Sequence, residues 1–237
     1  MRKILIITGG SKGIGKGIID AYLANGYQIY SISRSINQTL KKVTQLKYDL
    51  GKTEGIKNLI SQLFKGIKSI EVEKITLINN AGTLGKIGRI EDIADIETTV
   101  ALNTIAPLLL ASSFISLTKN WKAKKHIINI SSGAAYTPYY GWTVYCATKA
   151  AIDMMTKTIA LEQETVENGA KIIAIYPGVV DTEMQAEIRK SDKDSFALID
   201  RFLDLKATNA LANAKTVGKL VYELDENLSA NGTLQRI

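Results

Sequence analysis

The stretch Lys3-Ile4-Leu5-Ile6-Ile7-Thr8-Gly9-Gly10-Ser11-Lys12-Gly13-Ile14-Gly15 decides the fold. An apolar run ends abruptly in glycines, and Ile18-Ile19 then opens a helical face, so the segment reads as strand, tight turn and helix. Small residues at Gly9, Gly13 and Gly15 let the backbone turn sharply and come close to a diphosphate. The helix N-terminus behind them is electropositive. Glycines alone would say little, because turns use them everywhere. Their position between a first strand and a first helix points to a dinucleotide, with Gly9, Ser11, Lys12, Gly13, Ile14 and Gly15 as the expected phosphate-binding residues.

Working outward, short β-type runs alternate with longer helical patterns. Strands are expected at Lys3–Thr8, Gln28–Ser33, Thr44–Tyr48, Ile75–Asn79, His126–Ser131 and Lys171–Tyr176. Helices are expected near Gly13–Asn25, Thr53–Phe64, Ile90–Lys119, Gly141–Glu167 and Lys215–Glu226. Ile75–Ile78 and Ile127–Ile130 are apolar on both faces, as strands of a parallel sheet covered on both sides must be. The fold class is α/β, a doubly wound Rossmann-type sandwich with a mostly parallel sheet. No linker, repeat or low-complexity segment divides the 237 residues, so one domain is expected. Residues 181–205 follow a Pro–Gly turn, are charged and mixed in pattern, and read as one or two short helices over the sheet's carboxyl edge.

A hydrophobic content of 46% suits a sizeable core without disulfide or structural metal. One cysteine, Cys146, and one histidine, His126, exclude an internal disulfide and speak against a zinc site; no metal is expected. Cys146 is expected to be buried, and no acid–histidine pair is evident for His126. No stretch reads as a signal peptide or a membrane span, so a cytoplasmic protein is expected. The net charge of +7 is spread along the chain, and the cluster Lys119, Lys122, Lys124 and Lys125 reads as a solvated helix end. No nucleic-acid or membrane partner is expected.

The second strand ends in Ile32-Ser33-Arg34-Ser35, with no acid to hold ribose hydroxyls. Cationic and hydroxyl donors at Ser33, Arg34 and Ser35, together with Lys12, suit a 2′-phosphate, and NADPH is the expected cofactor. Asp49 could accept from an adenine amino group and Leu50 could pack on the ring. Asn80, Ala81 and Gly82 end the fourth strand with small residues that admit a cofactor, while Asn79 could tie strands together.

At the carboxyl end of a later strand stand Ser131 and Ser132, and beyond a loop come Tyr145 and Lys149, four residues apart on one helical face. An ammonium beside a phenol favours the phenolate, so Tyr145 is expected to be acidified and to exchange a proton with a carbonyl oxygen as hydride reaches the carbon. Ser132 would donate to the same oxygen. Asn103, in a long apolar helix, is expected to kink that helix and order a water reaching Lys149.

Thr8-Gly9-x-x-x-Gly13-x-Gly15, Asn79-Asn80-Ala81-Gly82, Asn103, Ser132 and Tyr145-x-x-x-Lys149 resemble the short-chain dehydrogenase/reductase family over nearly the whole chain. That resemblance implies a seven-stranded sheet, a Ser–Tyr–Lys centre assisted by an asparagine, and metal-free carbonyl/alcohol interconversion on a small-molecule carbonyl substrate. A narrower likeness, carried by Pro138-Tyr139-Tyr140-Gly141-Trp142, Tyr145-Cys146-Ala147 and Pro177-Gly178-Val179-Val180-Asp181-Thr182-Glu183-Met184-Gln185, is to bacterial benzil reductases and, more distantly, sepiapterin reductases. It implies NADPH, cofactor contacts at Pro177, Gly178, Val180 and Thr182, and a covering role for 181–205. Substrate contacts are expected at Ser132, Tyr139, Trp142, Tyr145, Gly178 and Met184. Sepiapterin reductases anchor their pterin with an aspartate near the C-terminus, and this tail, Asn231 to Ile237, has no acid. The aromatic set Tyr136, Tyr139, Tyr140 and Trp142 could line a diketone pocket or serve loop packing. Other readings are a dehydrogenase or epimerase acting on another substrate, or a cofactor sensor without turnover. The helices Ile90–Lys119 and Cys146–Glu167 are apolar around much of their girth, as a homodimer of this family would require.

Overall fold

The computed structural model describes all residues from Met1 to Ile237. Its seven strands, β1 (Arg2–Thr8), β2 (Gln28–Ser33), β3 (Thr44–Lys47), β4 (Val72–Asn79), β5 (Lys124–Ile130), β6 (Lys171–Tyr176) and β7 (Leu234–Arg236), form one sheet of order β3-β2-β1-β4-β5-β6-β7. Every pairing is parallel. Between the strands lie α1 (Gly13–Ala24), α2 (Ile56–Lys65), α3 (Ile96–Val100), α4 (Ala106–Thr118), α5 (Thr143–Glu164), α6 (Glu183–Ile188), α7 (Ile199–Ala207) and α8 (Ala214–Glu226).

Both faces of the sheet are buried, and β1 shows how. Ile4 and Ile6 join the core beneath α2, α4 and α5, while Leu5 and Ile7 join the core beneath α1 and α8. A strand alternates its side chains, so only a run apolar at every position serves two cores. The chain leaves β1 toward β2 and later returns to β4 on the other side, which opens a crevice at the carboxyl ends of β1 and β4. Helices α1 and α8 meet at glycines: a Cβ on Gly17 would stand 2.0 Å from the Ala214 carbonyl oxygen, and one on Gly218 would stand 2.1 Å from the Gly17 carbonyl carbon.

Several expectations are corrected. Residues Ile96–Thr118 form one continuous helical rod of 23 residues, with an 18-residue stretch of mean hydropathy 1.8, long and apolar enough to cross a membrane. It is instead a wall of the domain, with Ala106, Leu110, Ala111 and Phe114 in the core. Lys125 is not solvated. It is 5% exposed, its ammonium reaches the carbonyls of Thr118 and Trp121, and burial pulls its pKa down. Cys146 is half-buried rather than buried.

His126 does have an acid partner. Its Nδ1 lies 2.7 Å from Oδ1 of Asp225, which is fully buried. Asp225 Oδ2 also accepts from Tyr22 (2.8 Å) and Thr76 (2.9 Å) and lies 3.0 Å from the Lys74 ammonium. Glu226 beside it accepts from Lys3, Tyr27 and Lys74. This network ties α8 to the early residues of β1, β4 and β5, at the end of the sheet away from the crevice.

Candidate active site

Position and burial make the chemistry. Strand β5 ends at Ile130, and Ser132 caps the short turn Gly133–Ala135, its Oγ accepting from the Ala134 N–H at 3.2 Å. On α5, Tyr145 and Lys149 share a face and are 8% and 7% exposed. The Lys149 ammonium donates to the Ile130 carbonyl at 2.8 Å and lies 5.7 Å from the Tyr145 ring centroid. Burial lowers Lys149 to about 8, and Asp153 draws it partly back up. Burial raises Tyr145 to about 12, against a hydrogen bond with Ser132 that lowers it. The expected acidification of Tyr145 is therefore not built into the protein alone. Loss of water around a phenolate outweighs the help of Ser132, and the ammonium is turned to a backbone carbonyl. The phenol consequently stays protonated across the neutral range, which is the state a proton donor needs.

Asn103 lies inside a π-helical turn, Ala101–Ile105, between α3 and α4, where the Ala106 N–H returns to the Ala101 carbonyl. Pro107 has no N–H, so the Asn103 carbonyl cannot receive the usual bond from four residues on. Its side chain is fully used: Oδ1 accepts from Thr83 N (2.9 Å), and Nδ2 donates to Thr83 O (2.7 Å) and Thr148 Oγ1 (3.1 Å). A Cβ at Gly82 would stand 3.3 Å from Asn103 Oδ1 and 3.9 Å from Lys149 Nζ, so the three positions converge. Asn103 does not itself line the crevice.

Sequence reasoning missed Asp153. Its carboxylate, 8% exposed, accepts from Ser131 Oγ at 2.6 Å and from the Tyr176 hydroxyl. One carboxylate thereby clamps the ends of β5 and β6 to α5, the three elements that carry Ser132, Lys149 and Pro177. Its place four residues after Lys149 was the available signal. Asp153→Asn should move the alkaline fall in turnover, set by Lys149 near 8, to lower pH, because a neutral amide no longer favours the ammonium. A pH profile of turnover checks this; an unmoved limb contradicts it.

These groups open onto a cavity of about 570 Å³ that runs to the glycine turn. Gly9 has φ +68°, and a Cβ there would meet Ala81 Cα at 2.9 Å, so only glycine allows this approach of β1 to β4. Asn80 holds the turn, its amide donating to the carbonyls of Thr8 and Gly9. No side chain caps α1, which leaves its first N–H groups free for an anion. Asn79 donates to Asn129 at 2.8 Å and so ties strands.

Of the residues expected around a cofactor, Gly9, Ser11, Lys12, Gly13, Ile14, Gly15, Ser33, Arg34, Ser35, Leu50, Asn80, Ala81, Gly82, Pro177, Gly178, Val180 and Thr182 all line the cavity. Asp49 does not; its carboxylate is exposed and turned to the Gly51 N–H, while Tyr48 and Leu50 take that wall. Lys12 forms an ion pair with Glu183 of α6, a partner that sequence reasoning missed. Both side chains are largely exposed, so the pair is weak and Lys12 can be released to a phosphate.

Tyr139, Trp142, Gly178 and Met184 line the other end, and Tyr140 does not. Trp142 stacks on Phe196 at 4.8 Å, meets Tyr139 at 5.0 Å and stands edge-on to Tyr145 at 5.6 Å. The aromatic loop lines the cavity through Tyr136, Tyr139 and Trp142, and it packs Phe196 and Phe202 onto the start of α5.

The chain is 39% identical over 234 residues to a benzil reductase ((S)-benzoin forming) of Bacillus cereus, covering 94% of each. It is 30% identical to the sepiapterin reductase of Mus musculus, over 90% of this chain and 87% of that one. The solved structure of ElxO with NADP bound superposes with a TM-score of 0.81 at 25% identity, over 100% of this chain and 97% of that one. The family model for short chain dehydrogenases matches residues 3–193, and with the parallel sheet, the glycine turn and the Ser–Tyr–Lys wall already in place, the chain belongs to that family.

Proposed function

We propose that this protein is an NADPH-dependent carbonyl reductase acting on a ketone or a vicinal diketone of the benzil type. The observation that carries this is a single cavity joining the glycine turn to Ser132, Tyr145 and Lys149. NADPH fits what is present: a close approach only glycine allows, an uncapped helix N-terminus, and Arg34 with no acid at the end of β2. The likeness to a benzil reductase and to a structure holding NADP supports both substrate and cofactor.

When bound, NADPH supplies the hydride. Ser132 and Tyr145 hold the substrate oxygen, and Tyr145 releases its phenolic proton to that oxygen as negative charge develops there. Lys149 steadies the phenolate left behind and returns a proton toward it. In this reading Asn103 would order the water that resupplies Lys149. Lys12 and Arg34 hold the 2′-phosphate, Leu50 packs on the adenine, and Trp142, Tyr139 and Met184 enclose the organic part of the substrate. In this reading residues 1–237 act as one domain in the cytoplasm. NADPH should give at least a tenfold higher kcat/KM than NADH, and Arg34→Ala should narrow that ratio. Preference for NADH would overturn the cofactor assignment.

The reading includes a homodimer. Ile105 and Leu108 on the long rod and Met154 (62%) and Leu161 (67%) on neighbouring α5 leave apolar surface in water, where a two-fold partner would cover it. Light scattering should give twice the chain mass; a monomer at micromolar concentration would contradict it.

A further inference from the structure

The substrate end of the cavity carries a charge imbalance that a neutral diketone leaves unused. The only acidic side chain lining the cavity is Glu183, and Lys12 already holds it. Three arginines line the same cavity: Arg34 at the cofactor end, Arg201 of α7 and Arg236 of β7. The arginines that do form ion pairs are Arg2 with Glu71 and Arg89 with Glu91; Arg201 and Arg236 have no carboxylate partner.

Arg236 is held in place. Strand β7 runs beside β6 with Arg236 opposite Tyr176, and the guanidinium lies 5.2 Å over the Tyr136 ring, which in turn packs 5.7 Å from the Tyr176 ring. The Tyr136 hydroxyl lies 3.5 Å from the point where a Cβ on Gly133 would stand, and Gly133 follows Ser132. Arg236 therefore stands across the Tyr136 ring from the turn that follows Ser132. Arg201 also lines the cavity, one residue before Phe202, whose ring lies 5.6 Å from Trp142. Both arginines are exposed at the cavity's rim, where cations draw anions, and a guanidinium stacked on a ring keeps its N–H edges free for a carboxylate.

We infer that the preferred substrates are aryl keto acids, carbonyl compounds that join an aromatic body to a carboxylate, with Arg236 as the carboxylate anchor and Arg201 as a second cation. This rests on the carbonyl-reductase reading. The reaction is unchanged: hydride to the carbonyl carbon, the Tyr145 proton to its oxygen, and a hydroxy acid as product.

The test compares 4-benzoylbenzoate, whose carboxylate stands one ring away from its ketone, with its methyl ester and benzil as substrates of the enzyme with NADPH at low and high salt. The ester is the intrinsically more reactive carbonyl, so the informative quantity is the acid-to-ester ratio of kcat/KM. In the unaltered enzyme that ratio should favour the acid and fall as salt screens the charges. Arg236→Gln should lower the ratio about tenfold, mainly through KM for the acid, and Arg236→Lys should restore part of it. Turnover of ester and benzil with a ratio below one, insensitive to salt and to Arg236→Gln, overturns the inference while leaving the function standing. Turnover of none of the three overturns the function and this inference with it.

Discussion

Tyr145→Phe is expected to lower turnover by about a hundredfold or more while leaving NADPH affinity within a few-fold of the original. The substitution removes one hydroxyl and keeps the ring that stands edge-on to Trp142, so the site's packing survives. With the phenol pushed up to about 12, the donor is protonated throughout the working range, and its titration should leave no mark on the pH profile of reduction below that value. Lys149 behaves differently. At about 8 it is charged below and neutral above, so reduction should decline as pH rises through that value. Stopped-flow reduction of benzil, with cofactor binding followed by NADPH fluorescence, separates the two effects. Retained turnover in the Tyr145→Phe enzyme would remove this residue as the proton donor.

Asp225→Ala should be the most damaging substitution away from the cavity. It would leave buried Lys74, His126, Tyr22 and Thr76 facing a void where a carboxylate stood. Breaking a buried charge pair from one side costs about 3–5 kcal/mol, which for a chain of this length lowers Tm by roughly 10 °C. Burial acts to raise the Asp225 pKa, but hydrogen bonding from His126 and the charge of Lys74 hold it below the ordinary value. In Glu226, burial is likewise overruled by Lys3, Tyr27 and Lys74, which bring it from 4.5 to about 2. A carboxyl lowered by folding stabilises the protein fully above its unfolded pKa and loses that contribution as pH falls through the folded one. Acid should therefore erode stability between about 4.5 and about 2, and less steeply in Asp225→Ala, which lacks one of the two groups. Thermal melts of both proteins across that range check this. Equal Tm values at neutral pH would show that the network holds nothing together.

These residues also mark where the sequence was legible. The β1–turn–α1 unit could be read because its signals are local: an apolar run, glycines, then a helical face. The Ser132, Tyr145 and Lys149 set could be read because strand end and helical spacing place it. Lys74 could not, since a lysine inside a strand is tolerable only when some group receives its ammonium, and Asp225 lies 151 residues from Lys74. The His126–Asp225 pair escaped for the same reason, at a separation of 99 residues. Strand β7 is a three-residue polar edge that exists only because β6 pairs with it; the family resemblance implied a seventh strand, but its residues did not announce one. The acidification expected of Tyr145 meets an opposing effect: adjacency to a lysine predicts attraction, but only the folded structure reveals how much water both groups have lost.

The central claim is that one cavity passes hydride from NADPH to a carbonyl carbon. Incubating the enzyme with benzil and NADPH deuterated at the transferable position of its nicotinamide ring, then weighing the product by mass spectrometry, tests it most directly. The account predicts a hydroxyketone carrying one deuterium at the new alcohol carbon, and no such product from Tyr145→Phe at the same time point. Bound NADPH with no label transferred to benzil, to 4-benzoylbenzoate or to its ester would contradict it.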